Sequence, residues 1–271
     1  MPTIPPLELI PVPAFADNYL WTLVRGTDAV VVDPGDAAPV EKALADRGLR
    51  LVAILVTHHH PDHIGGVKTL LSRHDVPVYG PRRERDTIKQ LSVELVDGDH
   101  VDLLGRSFEV LEVPGHTLGH IAYFAPAHEL EGPILLCGDT LFSAGCGRLF
   151  EGSPAQMHDS LSRLAALPPA TQVYCTHEYT MSNLAFAQAV EPGNQALLDH
   201  IARVRQLRGQ DLPSLPSSIE LELRINPFLR TDHPSVRKAA TARAGHETLD
   251  PVETFATLRA WKDVFRPPAA V

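Results

Sequence analysis

The patterning of this chain predicts an α/β fold followed by a helical C-terminal region. Three observations carry the prediction. Apolar runs with the length and branching of buried strands recur up to about residue 175. Four of these runs end in a short polar segment that holds histidine or aspartate. Beyond His177 the alternation of strands and Gly/Asp turns gives way to helical spacing of apolar residues.

The elements come in this order. Leu51-Val52-Ala53-Ile54-Leu55-Val56 is the clearest strand, and it opens into Thr57-His58-His59-His60-Pro61-Asp62-His63-Ile64-Gly65-Gly66. Pro61 has a fixed φ and no N–H, which suits the first turn of a helix. Gly65-Gly66 permits close backbone packing, and Val67 to His74 reads as a helix. Phe108 to Val113 alternates with period two and runs into Pro114-Gly115-His116-Thr117. Ile134 to Cys137 runs into Gly138-Asp139-Thr140, and Gln172 to Cys175 into Thr176-His177-Glu178-Tyr179. Helices are expected over Asn183 to Val190 and Asn194 to Leu207. Asp211 to Ser217 reads as a loop, with Ser218 or a neighbour capping the segment after it. Further helices are expected over His233 to Gly245 and Thr254 to Phe265. A boundary between residues 1–176 and 177–271 divides the two patterns.

The first polar cluster carries the chemistry. Open α/β sheets place ligands where strands end, and neutral imidazole with carboxylate suits zinc, iron or manganese. In an extended segment residues i and i+2 project to one side. His58 and His60 can therefore hold one ion while His59 points away. Asp62 and His63 leave the following turn together, toward a second ion. A surface His-rich tract that takes up metal adventitiously is the competing reading, but such tracts do not follow a buried strand. Taken singly, His116 and His177 read more readily as structural residues, and Asp139 as part of a turn or helix cap. Their shared position after an apolar strand sets them apart from His74, His100, His128, His158, His200, His233 and His246, which read as surface or packing residues. His59 and His120 receive no catalytic role. Asp33 with Pro34-Gly35 reads as a turn, or alternatively as a carboxylate orienting a ligand imidazole.

The order His-x-His-x-Asp-His, then His, Asp and His resembles the metallo-β-lactamase superfamily, and within it the hydroxyacylglutathione hydrolase (glyoxalase II) branch. The resemblance covers nearly the whole chain. It includes Asp17-Asn18-Tyr19, Val32-Asp33-Pro34-Gly35-Asp36 and Gly145-Cys146-Gly147-Arg148-Leu149-Phe150-Glu151-Gly152. It continues through Cys175 to Thr180, Asn226 to Arg230, and Leu258 to Asp263. The resemblance implies an αββα sandwich of two mixed sheets with a C-terminal helical domain. It implies two divalent metal ions, zinc first, with iron or manganese as alternatives. His58, His60 and His116 would hold one ion, Asp62, His63 and His177 the other, and Asp139 would bridge them. Water activated between two such cations would attack a thioester carbonyl, with Asp62 also orienting that nucleophile. The implied reaction is hydrolysis of S-2-hydroxyacylglutathione, S-D-lactoylglutathione foremost, to D-lactate and glutathione, the second step of methylglyoxal detoxification. A persulfide dioxygenase of the same superfamily, using a single iron, is the alternative enzyme, and a non-catalytic metal-binding protein is the alternative outside enzymology.

Substrate contacts are also implied by the resemblance. Arg148, Phe150, Tyr179, Arg259 and Lys262 stand at positions that hold the glutathione part. Arg and Lys pair with its carboxylates, and Arg259 and Lys262, three apart, share a helix face. Arg148 stands where lysine is common and Phe150 where tyrosine is common, which keeps a charge and removes a hydroxyl.

Composition sets the remaining expectations. The 271 residues, 44% hydrophobic and 21% charged, can hold one large domain with an appendage. The formal net charge of −9 argues against a nucleic-acid partner, which needs a basic face. No signal peptide or membrane span is read from the sequence. The three cysteines are odd in number and form no disulfide framework. Cys137 and Cys175 read as buried fillers, and Cys146 as part of a Gly-rich loop near the site. A cytoplasmic monomer acting on a small glutathione thioester is the resulting expectation.

Overall fold

Apolar and β-branched runs form strands where the sequence places them. The computed structural model describes residues 5–129, 131–247 and 250–266. Its contacts define two units, Met1–Val113 with Leu118–Gly138, and Pro114–Thr117 with Asp139–Val271.

The first unit contains β1 (Glu8–Ala14), β2 (Asn18–Arg25), β3 (Asp28–Val32), α1 (Ala37–Arg47) and β4 (Arg50–Leu55). Next come α2 (Pro61–Ile64), α3 (Val67–Leu71), β5 (Val78–Pro81) and β6 (Val93–Leu95). β7 (His100–Leu103), β8 (Arg106–Glu112), β9 (Ile121–Ala125) and β10 (Ile134–Gly138) complete it. Strands β1 to β6 lie in numerical order in one sheet. Its first two pairings are antiparallel and the next three parallel. Strands β7 to β10 pair antiparallel in succession. The parallel strand β4 lacks alternation because both its faces are covered, and Ala53, Ile54 and Leu55 are fully buried. One core cluster joins Val40 and Leu44 of α1 and Val67 and Leu70 of α3 to Leu20, Val31, Ile54 and Val78 of the sheet. Asp36 caps α1 by accepting from Ala38 N, and Gly48, with φ 63°, ends it in the left-handed conformation. Pro61 stands in the first turn of α2, as its ring chemistry predicts. The helix expected over Val67 to His74 is shorter, since Ser72 folds its hydroxyl back onto Thr69 O at 2.6 Å.

The second unit contains β11 (Leu141–Phe142), β12 (Gly145–Cys146), α4 (Pro154–Ala165) and β13 (Gln172–Cys175). α5 (Thr180–Val190), α6 (Gln195–Arg208), β14 (Ser217–Ser218) and α7 (Ile219–Ile225) come next, then α8 (Pro234–Ala244) and α9 (Pro251–Val264). Ser153 and Gln156 form a reciprocal capping box at the start of α4. Ser218 does cap α7, accepting from Leu221 N at 3.2 Å. α5, α6 and α7 share a core of Leu184, Ala187, Leu197, Ile201, Val204 and Ile225. Phe186 and Phe228 stack with centroids 5.8 Å apart, and Trp261 of α9 meets Phe186 edge-on at 5.3 Å. Cys146 corrects the loop reading, because it lies in a two-residue strand and is buried. No helix among the described residues is long and apolar enough to cross a membrane.

Candidate metal centre

The turn after β4 gathers most of its donors within ten residues, and the first unit supplies contacts to His58, Asp62 and His63. Gly66 makes this possible: a Cβ there would lie 2.6 Å from both Ala37 N and Pro34 O. That close approach seats the Pro61–Gly66 segment against the turn after β3, where Gly66 N donates to Pro34 O at 2.9 Å.

Asp33 is buried, has φ 48°, and faces the His63 imidazole as well as forming a turn. It begins a turn in which Gly35 N donates to its carbonyl at 2.8 Å. Its carboxylate accepts from Thr57 N and Thr57 Oγ1, each at 2.7 Å, and lies 3.1 Å from His63 Nδ1. A carboxylate this close to Nδ1 favours the proton on that nitrogen, which turns the Nε2 lone pair toward the donor cluster. Because the Thr57 hydroxyl donates to Asp33, it accepts from His58 Nδ1 at 3.1 Å, which orients His58 in the same way.

The spacing of donor atoms fits a metal. Bonds of 2.0–2.1 Å in a tetrahedral zinc site place neighbouring ligand atoms roughly 3.3–3.4 Å apart. His58 Nε2 lies 3.0 Å from His60 Nδ1, and His63 Nε2 lies 3.6 Å from Asp62 Oδ2. Asn18 Nδ2 donates to the same Asp62 oxygen at 3.1 Å, a contact across 44 positions. His59 does turn away: its Nδ1 lies 3.0 Å from Glu84 Oε2. His120 is buried and its ring stacks on His58 with centroids 4.6 Å apart.

Within the second unit Asp139 Oδ2 stands 3.4 Å from His116 Nε2 and 3.3 Å from His177 Nε2. One carboxylate oxygen therefore faces two imidazoles, the arrangement expected of a shared ligand. His116 Nδ1 donates to Arg148 O at 2.8 Å, so the imidazole lone pair sits on Nε2, the atom that faces Asp139. His177 stacks on Tyr179 at 4.6 Å with an interplanar angle of 1°. Gly147 has to be glycine, since a Cβ would lie 1.9 Å from Asp139 O.

The expected substrate residues also lie in this unit, and their environments differ. Phe150 is exposed, with its ring edge-on to His116 at 5.3 Å. Arg148 is exposed, whereas Arg259 is buried and donates from Nη1 to Cys146 O at 3.0 Å. Lys262 Nζ donates to Ser182 O at 3.0 Å and contacts Ser182 Oγ at 3.2 Å. Burial, with the Arg259 charge second, lowers the Lys262 pKa to about 8. Burial raises the Cys146 thiol, which makes a reactive thiolate unfavourable there. Asn18 and Glu84 make contacts that sequence spacing could not assign, because each partner is remote in the chain.

Comparisons with known proteins agree with this geometry. Residues 15–177 match the family model described as the metallo-beta-lactamase superfamily. Residues 178–265 match the model described as the hydroxyacylglutathione hydrolase C-terminus. A curated relative from Pseudomonas aeruginosa (strain LESB58), named hydroxyacylglutathione hydrolase, is 56% identical over 96% of this chain and 100% of its own length. Among solved structures, the BLEG-1 B3 metallo-beta-lactamase aligns with TM-score 0.62 and 25% identity, over 82% of this chain and 99% of that one. TTHA1623 in a di-iron-bound form aligns with TM-score 0.52 and 28% identity, over 81% and 100%.

Proposed function

The chain belongs to the hydroxyacylglutathione hydrolase family of the metallo-beta-lactamase superfamily, and from that premise we propose that it hydrolyses S-2-hydroxyacylglutathione thioesters. S-D-lactoylglutathione is the proposed substrate, and D-lactate and glutathione the products. The observation that carries the reading is 56% identity to a relative of that name over the relative's full length. The fold is accordingly the metallo-beta-lactamase fold with a C-terminal helical region. Relatives at this identity carry the hydrolase name, and the dioxygenase alternative gains no comparable support.

The histidine and aspartate donors suit a dinuclear metal site. We assign His58, His60 and His116 to one ion, Asp62, His63 and His177 to the other, and Asp139 to both. Zinc is the first choice, with iron and manganese as alternatives, because imidazole and carboxylate ligands accept all three. Donor spacings of 3.0–3.6 Å within each unit support the assignment. When bound, the ions would supply Lewis acidity that lowers the pKa of water and polarises the thioester carbonyl.

The chain's own residues do the rest. Asp33 and Thr57 hold His63 and His58 in their ligand tautomers. Asp62, steadied by Asn18, orients the attacking water. Arg148, Tyr179, Arg259 and Lys262 bind the glutathione part, with Lys262 charged below a pKa of about 8. The leaving thiolate, whose conjugate acid has a pKa of about 8.5, departs without a general acid. We further propose a functional division at residues 176/177, supported by family models that meet one residue later, at 177/178, and a monomer acting in the cytoplasm.

Thiol release from S-D-lactoylglutathione by the purified protein tests the reading. The expected result is rapid release that chelation abolishes. No release from fully metallated protein would refute it.

A further inference from the structure

The cations assigned to substrate are joined by a carboxylate that the family reading leaves without a role. Asp263, near the end of α9, places Oδ1 3.0 Å from Arg259 Nη2 and 3.5 Å from Arg148 Nε. The two arginines are remote in sequence and arrive from different elements. Arg259 is fixed on three sides. Nη1 is bonded to Cys146 O and lies 3.6 Å from Cys146 Sγ, Nη2 is bonded to Asp263, and the guanidinium lies 5.3 Å from the centre of the Phe228 ring. Arg148 is different, because its side chain is 60% exposed and Asp263 is the one carboxylate paired with it among the described residues.

We infer that Asp263 is a positioning residue for the carboxylate-binding cations, its single oxygen drawing Arg148 alongside the buried Arg259. The inference rests on the reading that these cations grip a substrate carboxylate. A long side chain free in solvent loses rotamer freedom when it binds, and one already restrained loses less. The charge balance is also favourable. Arg148, Arg259 and Lys262 carry three positive charges against one negative, so the group keeps a cationic surplus while the buried guanidinium keeps a counter-charge. The pair Arg259–Asp263 also has the i,i+4 spacing of an ordinary helix-surface pair. A helix-stabilising role alone would change melting temperature and leave substrate discrimination untouched.

The test compares two lactoyl thioesters in the metal-replete full chain: S-D-lactoylglutathione, and the N-acetylcysteamine thioester, which has no carboxylate. Asp263→Asn is expected to raise KM about tenfold for the glutathione thioester, with kcat within about twofold, a change of about 1.4 kcal/mol in apparent binding. For the carboxylate-free thioester the expected change in kcat/KM is less than twofold. Asp263→Glu, which keeps the charge, is expected to recover most of the lost affinity, and it serves as the second variant should the amide fold poorly. An unchanged or lowered KM for the glutathione thioester overturns the inference. So does an equal loss on both thioesters, or a larger loss for Asp263→Glu than for Asp263→Asn. A wild-type chain inactive on the glutathione thioester overturns the parent reading, and this inference with it.

Discussion

Asp33→Asn isolates the contribution of a residue that would touch no metal. The carboxylate of Asp33 accepts from Thr57 N on Oδ1 and from Thr57 Oγ1 on Oδ2, and Oδ2 lies 3.1 Å from His63 Nδ1. The amide keeps the volume and the first contact. At the second oxygen it presents an NH2 group to the Thr57 hydroxyl and to the nearby His63 Nδ1, so Thr57 must rotate its hydroxyl and the His63 proton is favoured on Nε2. That proton occupies the lone pair assigned to the metal. Thr57 Oγ1, turned to accept from the amide, no longer orients His58 as before. Loss of such an orienting partner costs about 10–100-fold in metal affinity, or about 1.4–2.7 kcal/mol. Competition against a chromophoric chelator measures it directly. Asp33→Asn should release metal at a chelator concentration lower by that factor, with far-UV circular dichroism unchanged. A metal affinity within twofold of wild type in a folded variant would refute the orienting role of Asp33.

Further predictions concern turnover and stability. Asp62→Asn should lower kcat more than it lowers bound metal measured by elemental analysis; parallel losses would remove the water-orienting role. Asn226 is fully buried, donates to Phe142 O, Gly145 O and Glu222 Oε2, and accepts from Phe228 N. Asn226→Ala strands several of these groups at about 1–3 kcal/mol each, so urea unfolding should show a loss of about 3 kcal/mol or more; a loss below 1 kcal/mol contradicts the geometry. His200 has its pKa lowered to about 4 by burial, with the Arg203 charge second. Between pH 6.5 and 4 the unfolded chain binds a proton that the folded chain refuses, so stability falls as pH drops through that window. The full effect is at most about 3 kcal/mol, and His200→Gln should flatten the fall; an identical pH slope in the variant would exclude His200 as its source.

Chain distance decides how much was legible in the sequence. The donor cluster after β4 was readable because its residues are contiguous and lie directly after a buried strand. The four strands ending in candidate ligands all formed at the expected places, since their apolar runs are long enough to override local ambiguity. Partners from afar left no local trace. Nothing near Asn18 points to Asp62, and nothing near Glu84 points to His59. The helix-face reading of Arg259 and Lys262 holds for α9, yet spacing could not tell that Arg259 turns inward to Cys146 while Lys262 reaches Ser182. Gly145 and Gly147, which flank Cys146, suggest a loop in the sequence. Those glycines instead allow close approach, with a Cβ on Gly145 meeting Asn183 Nδ2 at 2.5 Å. His200, grouped with surface and packing residues, is buried, a distinction a single polar position in an amphipathic helix does not announce.

The most direct test of the central claim is a metal titration of the apoprotein, with thiol release from S-D-lactoylglutathione measured at each addition. The account predicts that activity rises until two equivalents of zinc are bound and then stays level. Full activity at one equivalent, or activity that persists in metal-free protein, would contradict it.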